Sequence, residues 1–186
     1  MQVFFDSCVV DHLADRQIDP IRDLAGTDFQ IAYTPDLKQE YETALAHPGP
    51  SDQTKELLRR LRQQEAMQPR TLTSFFELDE GPGLGLDQGE WASPTQIQTI
   101  DSVPTGDNRP TGIPSKRTDI YLVAMAENHI IITANTKDTH WKMASQNPHI
   151  IQWERDLKPC LDAGNTLAAA LQSIVAPVPQ RHTPPP

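Results

Sequence analysis

Asp6, Glu40, Asp119 and Asp138 lie far apart in the chain, yet each sits beside an apolar run or on an amphipathic helix. Asp6 ends the run Val3-Phe4-Phe5. Asp119 opens a run from Ile120 to Ala126, and Asp138 follows Ile130-Ile131-Ile132 after Thr133 and Asn135. Carboxylates brought close together repel, and in a low-dielectric cleft they stay ionised only beside a compensating charge. Oxygen-only ligands select Mg²⁺ or Mn²⁺. Such a cation orients and activates a water and stabilises charge on a phosphoryl oxygen, so the matching reaction is phosphodiester hydrolysis.

Each acid also has a plainer reading. Asp6 suits the cap of a helix following its strand. Glu40 suits a flank residue whose carboxylate bends out to solvent. Asp119 in a first helical turn favours the helix dipole, and Asp138 suits an ordinary loop. Other chemistries fare worse. The six histidines show no zinc spacing with Cys8 and Cys160. No serine stands in a Gly-x-Ser-x-Gly turn, and the alternating Gly81, Gly83 and Gly85 lack the Gly-Lys-Ser/Thr of a phosphate-binding loop. A phosphatase using Asp6 as nucleophile needs a second Asp two residues on, where this chain has Cys8.

The elements that must position these acids follow from periodicity. Gln2 to Phe5 reads as a first strand and Cys8 to Ala14 as a helix. A short helix spans Ile21 to Ala25, and Phe29 to Tyr33 reads as a second strand. Thr34-Pro35-Asp36 is a helix start with Thr as N-cap and Pro at the first position. On a wheel of ~100° per residue, Leu37, Tyr41, Ala44 and Leu45 form the inward stripe of that helix, with Glu40 at its margin. A carboxylate there is partly desolvated, which costs free energy unless a cation or donor meets it. The stretch from Arg117 to Asp138 reads as buried helix, tight turn at Glu127–His129 and buried strand. His149 to Trp153 is a last strand, and Thr166 to Val175 a terminal helix within 161–176. Helices separate the strands and no hairpin signal joins any two. The fold class is therefore α/β, a three-layer α/β/α sandwich around a parallel sheet of four to five strands. Ligand sites in such folds lie at the carboxyl ends of the strands, the edge on which the four acids are expected to converge.

Ser51 caps a further helix running to about Met67, with Leu57, Leu58 and Leu61 inward. Lys55, Arg59 and Arg62 form the clearest basic stripe. It reads either as a solvated face, helped by a Glu56–Arg60 pair, or as a contact surface for phosphates or an acidic partner. Residues 77–115 are rich in Gly and Pro, with Trp91, Ile97 and Ile100 as scattered apolar anchors. They read as a long loop inserted into one domain over residues 1–160. Residues 177–186 form a Pro-rich tail without enough apolar content to fold.

With 25 acidic against 16 basic side chains and a net charge of −9, the chain lacks the basic footprint of a broad nucleic-acid binder. An enzyme whose acidic centre holds a cation remains compatible with that balance. Two cysteines suit a reduced compartment. The N-terminus has no basic segment leading into an apolar core, and no run reaches membrane-spanning length. The expected location is cytoplasmic, with no membrane partner.

These residues resemble the PIN-domain nucleases, which include the toxin ribonucleases of bacterial toxin–antitoxin pairs. VFFDSCVVDHL resembles the family's opening strand, Asp and Ser/Thr, then apolar helix. YTPDLKQEY resembles the end of its second strand and the helix carrying a Glu. TDIYLVAMAENHIIITANTKD resembles its Asp-led helix and the strand ending in Thr-x-Asn/Asp with another Asp close behind. The resemblance covers Met1 to about Leu45 and Lys116 to Trp153. It implies Asp6, Glu40, Asp119 and Asp138 as catalytic, metal-binding acids for Mg²⁺ or Mn²⁺. Ser7 or Asn135 would add a neutral ligand or hydrogen bond, and Thr133 would orient the cluster. RNA is the implied substrate, and a protein inhibitor (an antitoxin) and a homodimer are the partners the family suggests. Lys55, Arg59, Arg62, Lys116 and Arg117 are the candidate contacts to substrate or partner. Three departures stand out. The Asp119-to-Thr133 segment is about two residues short in its turn, residues 77–115 are long for the family, and Thr139 stands where an aromatic often follows the last Asp. A binding or scaffold module that has lost catalysis is the alternative reading.

Overall fold

The computed structural model describes residues 1–67, 74–75, 89–90, 93–102 and 117–175. Val3, Phe4 and Phe5 in strand β1 (Gln2–Phe5) and Ile130, Ile131 and Ile132 in strand β5 (Ile130–Thr133) have no solvent exposure. Strands buried on both faces suit the interior of a parallel sheet. β1 pairs with β2 (Gln30–Ile31) on one side and with β5 on the other, and β5 pairs in turn with β6 (Ile150–Gln152). The order is β2-β1-β5-β6, all parallel. Right-handed crossovers running outward from β1 to β2 and from β5 to β6 pass on opposite faces, an arrangement compatible with three layers.

Register fixes what stands at the carboxyl edge. Phe5 lies opposite Ile132, and the Asp6 N–H continues the ladder to the Ile132 carbonyl at 3.0 Å. Asp6 and Thr133 therefore emerge side by side from neighbouring strands. The second strand is shorter than the expected Phe29–Tyr33. Tyr33 turns its ring inward instead, and its hydroxyl donates to the Leu61 carbonyl at 3.0 Å.

Helix α1 (Ser7–Asp15) and the short α2 (Pro20–Asp23) lead from β1 to β2. Helix α3 (Pro35–Ala46) starts as expected. Thr34 Oγ1 accepts the Leu37 N–H at 3.0 Å, Pro35 takes the first position, and Leu37 and Tyr41 are buried. In α4 (Asp52–Met67), Ser51 Oγ accepts the Thr54 N–H at 3.1 Å, and Leu57, Leu58 and Leu61 reach the core.

Part of the stretch read as loop is structured. After the two-residue parallel pair β3 (Ser74–Phe75) and β4 (Gly89–Glu90), residues 94–102 form helix α5 (Pro94–Ser102). Ser93 and Gln96 make a reciprocal capping box. Gln96 N–H donates to Ser93 Oγ at 3.1 Å and Ser93 N–H to Gln96 Oε1 at 2.8 Å. Gln96 Nε2 then donates to the Ala124 carbonyl at 3.2 Å, pinning α5 to α6 (Arg117–Met125). Ile97 is 49% exposed, not an anchor, whereas Ile100 packs against the core. Residues 77–88, 91–92 and 103–116, which include Trp91 and Lys116, lie outside the described residues, as does the tail 177–186.

The helix, turn and strand expected over Arg117–Asp138 are present, with the turn closed by His129 N–H donating to the Met125 carbonyl at 3.0 Å. Helix α7 (Thr139–Ala144) leads to β6, which ends at Gln152. Trp153 belongs to a π-helical turn (Trp153–Leu157) that runs into α8 (Lys158–Asp162), an element not expected from the sequence. The terminal helix α9 (Leu167–Val175) begins after Thr166, whose Oγ1 accepts the Ala169 N–H at 3.2 Å. Among the described residues, no helix is long and apolar enough to cross a membrane.

Candidate active site

Asp6 occupies the N-cap position of α1 without making a side-chain cap bond, so the plain reading of this residue fails. Its Oδ2 instead accepts two hydrogen bonds, from Thr133 Oγ1 at 2.7 Å and from Cys8 Sγ at 3.0 Å. The side chain is 3% exposed. Burial, then the charge of Asp119, push its pKa from 3.8 up to about 6; Glu40 adds to the rise, and the Cys8 and Thr133 donors oppose it.

Glu40 lies on α3 at the margin the helical wheel assigns it, half-buried, and its Oε2 accepts the Ser7 hydroxyl at 2.9 Å. Ser7 thus serves Glu40 by hydrogen bonding. Asp119 stands in the first turn of α6, also half-buried. Asp6, Glu40 and Asp119 line one cleft of about 370 Å³, together with Ser7, Cys8, Asn135 and Lys137. A larger cavity of about 790 Å³, by Met1, Ile21 and Gln64, includes none of the four acids. Volume alone does not mark this site; chemistry does.

The 133–138 segment is tied together from within. Thr133 Oγ1 accepts the Asn135 N–H at 3.0 Å while donating to Asp6. Asn135 Nδ2 donates to Asp138 Oδ2 at 2.7 Å, and Asn135 Oδ1 accepts the Lys137 N–H at 3.2 Å. Asp138 takes the N-cap position of α7 without a side-chain cap bond and is not among the residues lining the cleft. Three of the four acids therefore share the cleft, and Asp138 is held beside it through Asn135.

Cys8 is a residue that sequence reasoning missed. Its Sγ donates to Asp6 and accepts the Ala134 N–H at 3.2 Å, joining the start of α1 to the end of β5. Burial, then the neighbouring Asp6 charge, raise the thiol pKa well above its ordinary value, so Cys8 stays a protonated donor and not a thiolate ligand. No signal in the sequence marks this role, because the partner backbone lies at residue 134.

Among the described residues, no group of three or more His, Cys, Asp or Glu is gathered to hold a metal ion. Mg²⁺, however, usually binds directly through one or two carboxylates and keeps its waters. The cleft meets that requirement in donor type, with Asp6, Glu40 and Asp119 as oxygen donors and Asp6 carrying the electrostatic mark of the other two.

The basic stripe on α4 is largely engaged. Arg59 pairs with Glu56 at 3.2 Å and Arg62 with Glu42 at 2.5 Å. The expected Glu56–Arg60 pair does not form. Arg60 reaches Asp19 at 2.5 Å, because that carboxylate is only 8% exposed where it caps α2 and needs a counter-charge. Arg117 opens α6, with its backbone alone among the described atoms.

Comparison with protein-family models, curated proteins and solved structures gave no match.

Proposed function

We propose that this chain is a divalent-metal-dependent ribonuclease with a PIN-like, three-layer α/β/α fold. The observation that carries the reading is the cleft at the carboxyl edge of the sheet. It is lined by Asp6 from the end of β1, Glu40 from α3 and Asp119 from α6, and the Asp6 carboxyl has its pKa raised by burial and by both other carboxylates. A bound Mg²⁺ or Mn²⁺ would neutralise these charges, activate water and stabilise charge on a phosphoryl oxygen. Asp6, Glu40 and Asp119 would hold it, and Asp138 would support the rim through Asn135. Thr133 and Cys8 both load Oδ2 of Asp6, which leaves Oδ1 as the oxygen free to meet a cation.

The test is cleavage of single-stranded or structured RNA by purified protein. Cleavage is expected to require added Mg²⁺ or Mn²⁺ and to be lost in Asp6→Asn and in Asp119→Asn. Undiminished cleavage by both variants would overturn the site.

A second reading, a PIN-like binding or scaffold module without catalysis, draws on the absence of a pre-gathered group of three ligands among the described residues. Calorimetric titration with Mn²⁺ separates the two. Binding that disappears in Asp6→Asn supports the ribonuclease, and no binding supports the scaffold. Within the ribonuclease reading, a toxin role adds a protein inhibitor that fills the cleft. Growth arrest on expression, relieved by the product of the neighbouring gene, is its signature.

A further inference from the structure

We infer that Lys137 is the cation that holds a phosphate of the substrate strand at the mouth of the carboxylate cleft, an assignment that rests on the ribonuclease reading. Lys137 lines the same cleft as Asp6, Glu40 and Asp119 and is exposed. Among the described residues that line the cleft it is the one basic side chain, and it forms no ion pair with any of the three acids. The three arginines of the α4 basic face are committed elsewhere, Arg59 to Glu56, Arg60 to Asp19 and Arg62 to Glu42.

The position of Lys137 is set by the residues that set the acids. Its backbone N–H is held by Asn135 Oδ1, whose own N–H is held by Thr133 Oγ1, which donates to Asp6. Asp138, its sequence neighbour, has its Oδ2 on Asn135 Nδ2 and not on the ammonium group. A chain of net charge −9 gains nothing from long-range attraction to a polyanion. Grip on a phosphodiester must then come from local charge, and Lys137 supplies a point charge with three donors and a flexible stem at the rim of the acids. The substrate class this favours is a single strand whose phosphates are contacted at the cleft itself.

The experiment measures binding of a single-stranded oligoribonucleotide by fluorescence anisotropy in the cleavage-deficient Asp6→Asn background with Mn²⁺ present, across a salt series. Steady-state cleavage by the otherwise native chain is measured in parallel. Lys137→Gln is expected to weaken binding several-fold, to raise KM with kcat little changed, and to flatten log K against log salt by about 0.7 for the one lost phosphate contact. Lys137→Arg is expected to retain affinity and slope. Urea unfolding of Lys137→Gln should match the parent, since the side chain is exposed. Native cleavage with affinity, slope and KM unmoved by Lys137→Gln would overturn the Lys137 assignment alone. Absence of any cleavage by the native chain would overturn the ribonuclease reading and the assignment with it.

Discussion

Thr133 and Asp6, 127 residues apart, meet through a 2.7 Å hydrogen bond in which the buried threonine hydroxyl donates to the carboxylate. The bond joins the carboxyl ends of β1 and β5. The same hydroxyl accepts the Asn135 N–H, so one oxygen aligns Asp6 and organises the loop beyond β5. Thr133→Val keeps the shape and removes both bonds. It should destabilise the fold by about 1–3 kcal/mol, the cost of leaving buried polar groups unsatisfied. Urea unfolding reads this directly, and a loss below measurement error would contradict the role assigned to the hydroxyl.

Asp6 gives the fold a pH dependence of definite sign. Its folded pKa of about 6 lies above its ordinary 3.8, so between those values the folded state binds more protons than the unfolded state. Its contribution is therefore fully present below about pH 4 and is lost as pH rises through 6, the loss amounting to about 3 kcal/mol at neutral pH. In metal-free buffer, Asp6→Asn should thus gain stability over the native chain as pH rises from about 4 to 7. Added Mn²⁺ should narrow the gap by stabilising the native chain alone. Urea unfolding of both proteins across this range checks it; a gap independent of pH would contradict the assigned acidity.

Tyr41 supports the cleft from beneath, its fully buried hydroxyl donating to the carbonyl of Phe5, the residue before Asp6. Tyr41→Phe leaves that carbonyl without its donor and should cost about 1–3 kcal/mol. Chemical denaturation measures the cost, and an unchanged midpoint would contradict the role assigned to the hydroxyl.

Much of this arrangement is legible in the sequence because it depends on local pattern. Consecutive isoleucines give β5, the Thr34-Pro35 start gives α3, and the wheel of that helix puts Glu40 at the margin where it meets Ser7. What is hard to read depends on pairs distant in the chain. Cys8 acquires its role from the Ala134 backbone, and Arg60 is drawn from its helical neighbour by Asp19, buried at the cap of a different helix. Helix α5 is a different case. Its Ser93-Pro94-Thr95-Gln96 start is a readable capping box, masked by the Gly and Pro around it.

Gln96 links that missed helix to the site. Its side chain, almost completely buried, caps α5 and donates to Ala124 on α6, the helix that begins near Asp119. Gln96→Ala should cost about 1–3 kcal/mol and speed amide exchange in α5 more than in β1 or β5. Equal protection in all three would argue that α5 and the sheet open as one unit.

On the ribonuclease reading, the cleft carboxylates act together on RNA through a divalent cation. Glu40 tests it most directly, since it reaches the cleft from α3, a separate element from the strand that leads to Asp6. The measurement is the initial rate of cleavage of an end-labelled single-stranded RNA by native and Glu40→Gln protein, first metal-free and then with Mn²⁺ restored. The expected result is no cleavage without metal, recovery in the native protein on adding Mn²⁺, and no recovery in Glu40→Gln. Cleavage that persists in chelator, or equal rates for the two proteins with Mn²⁺, would contradict it.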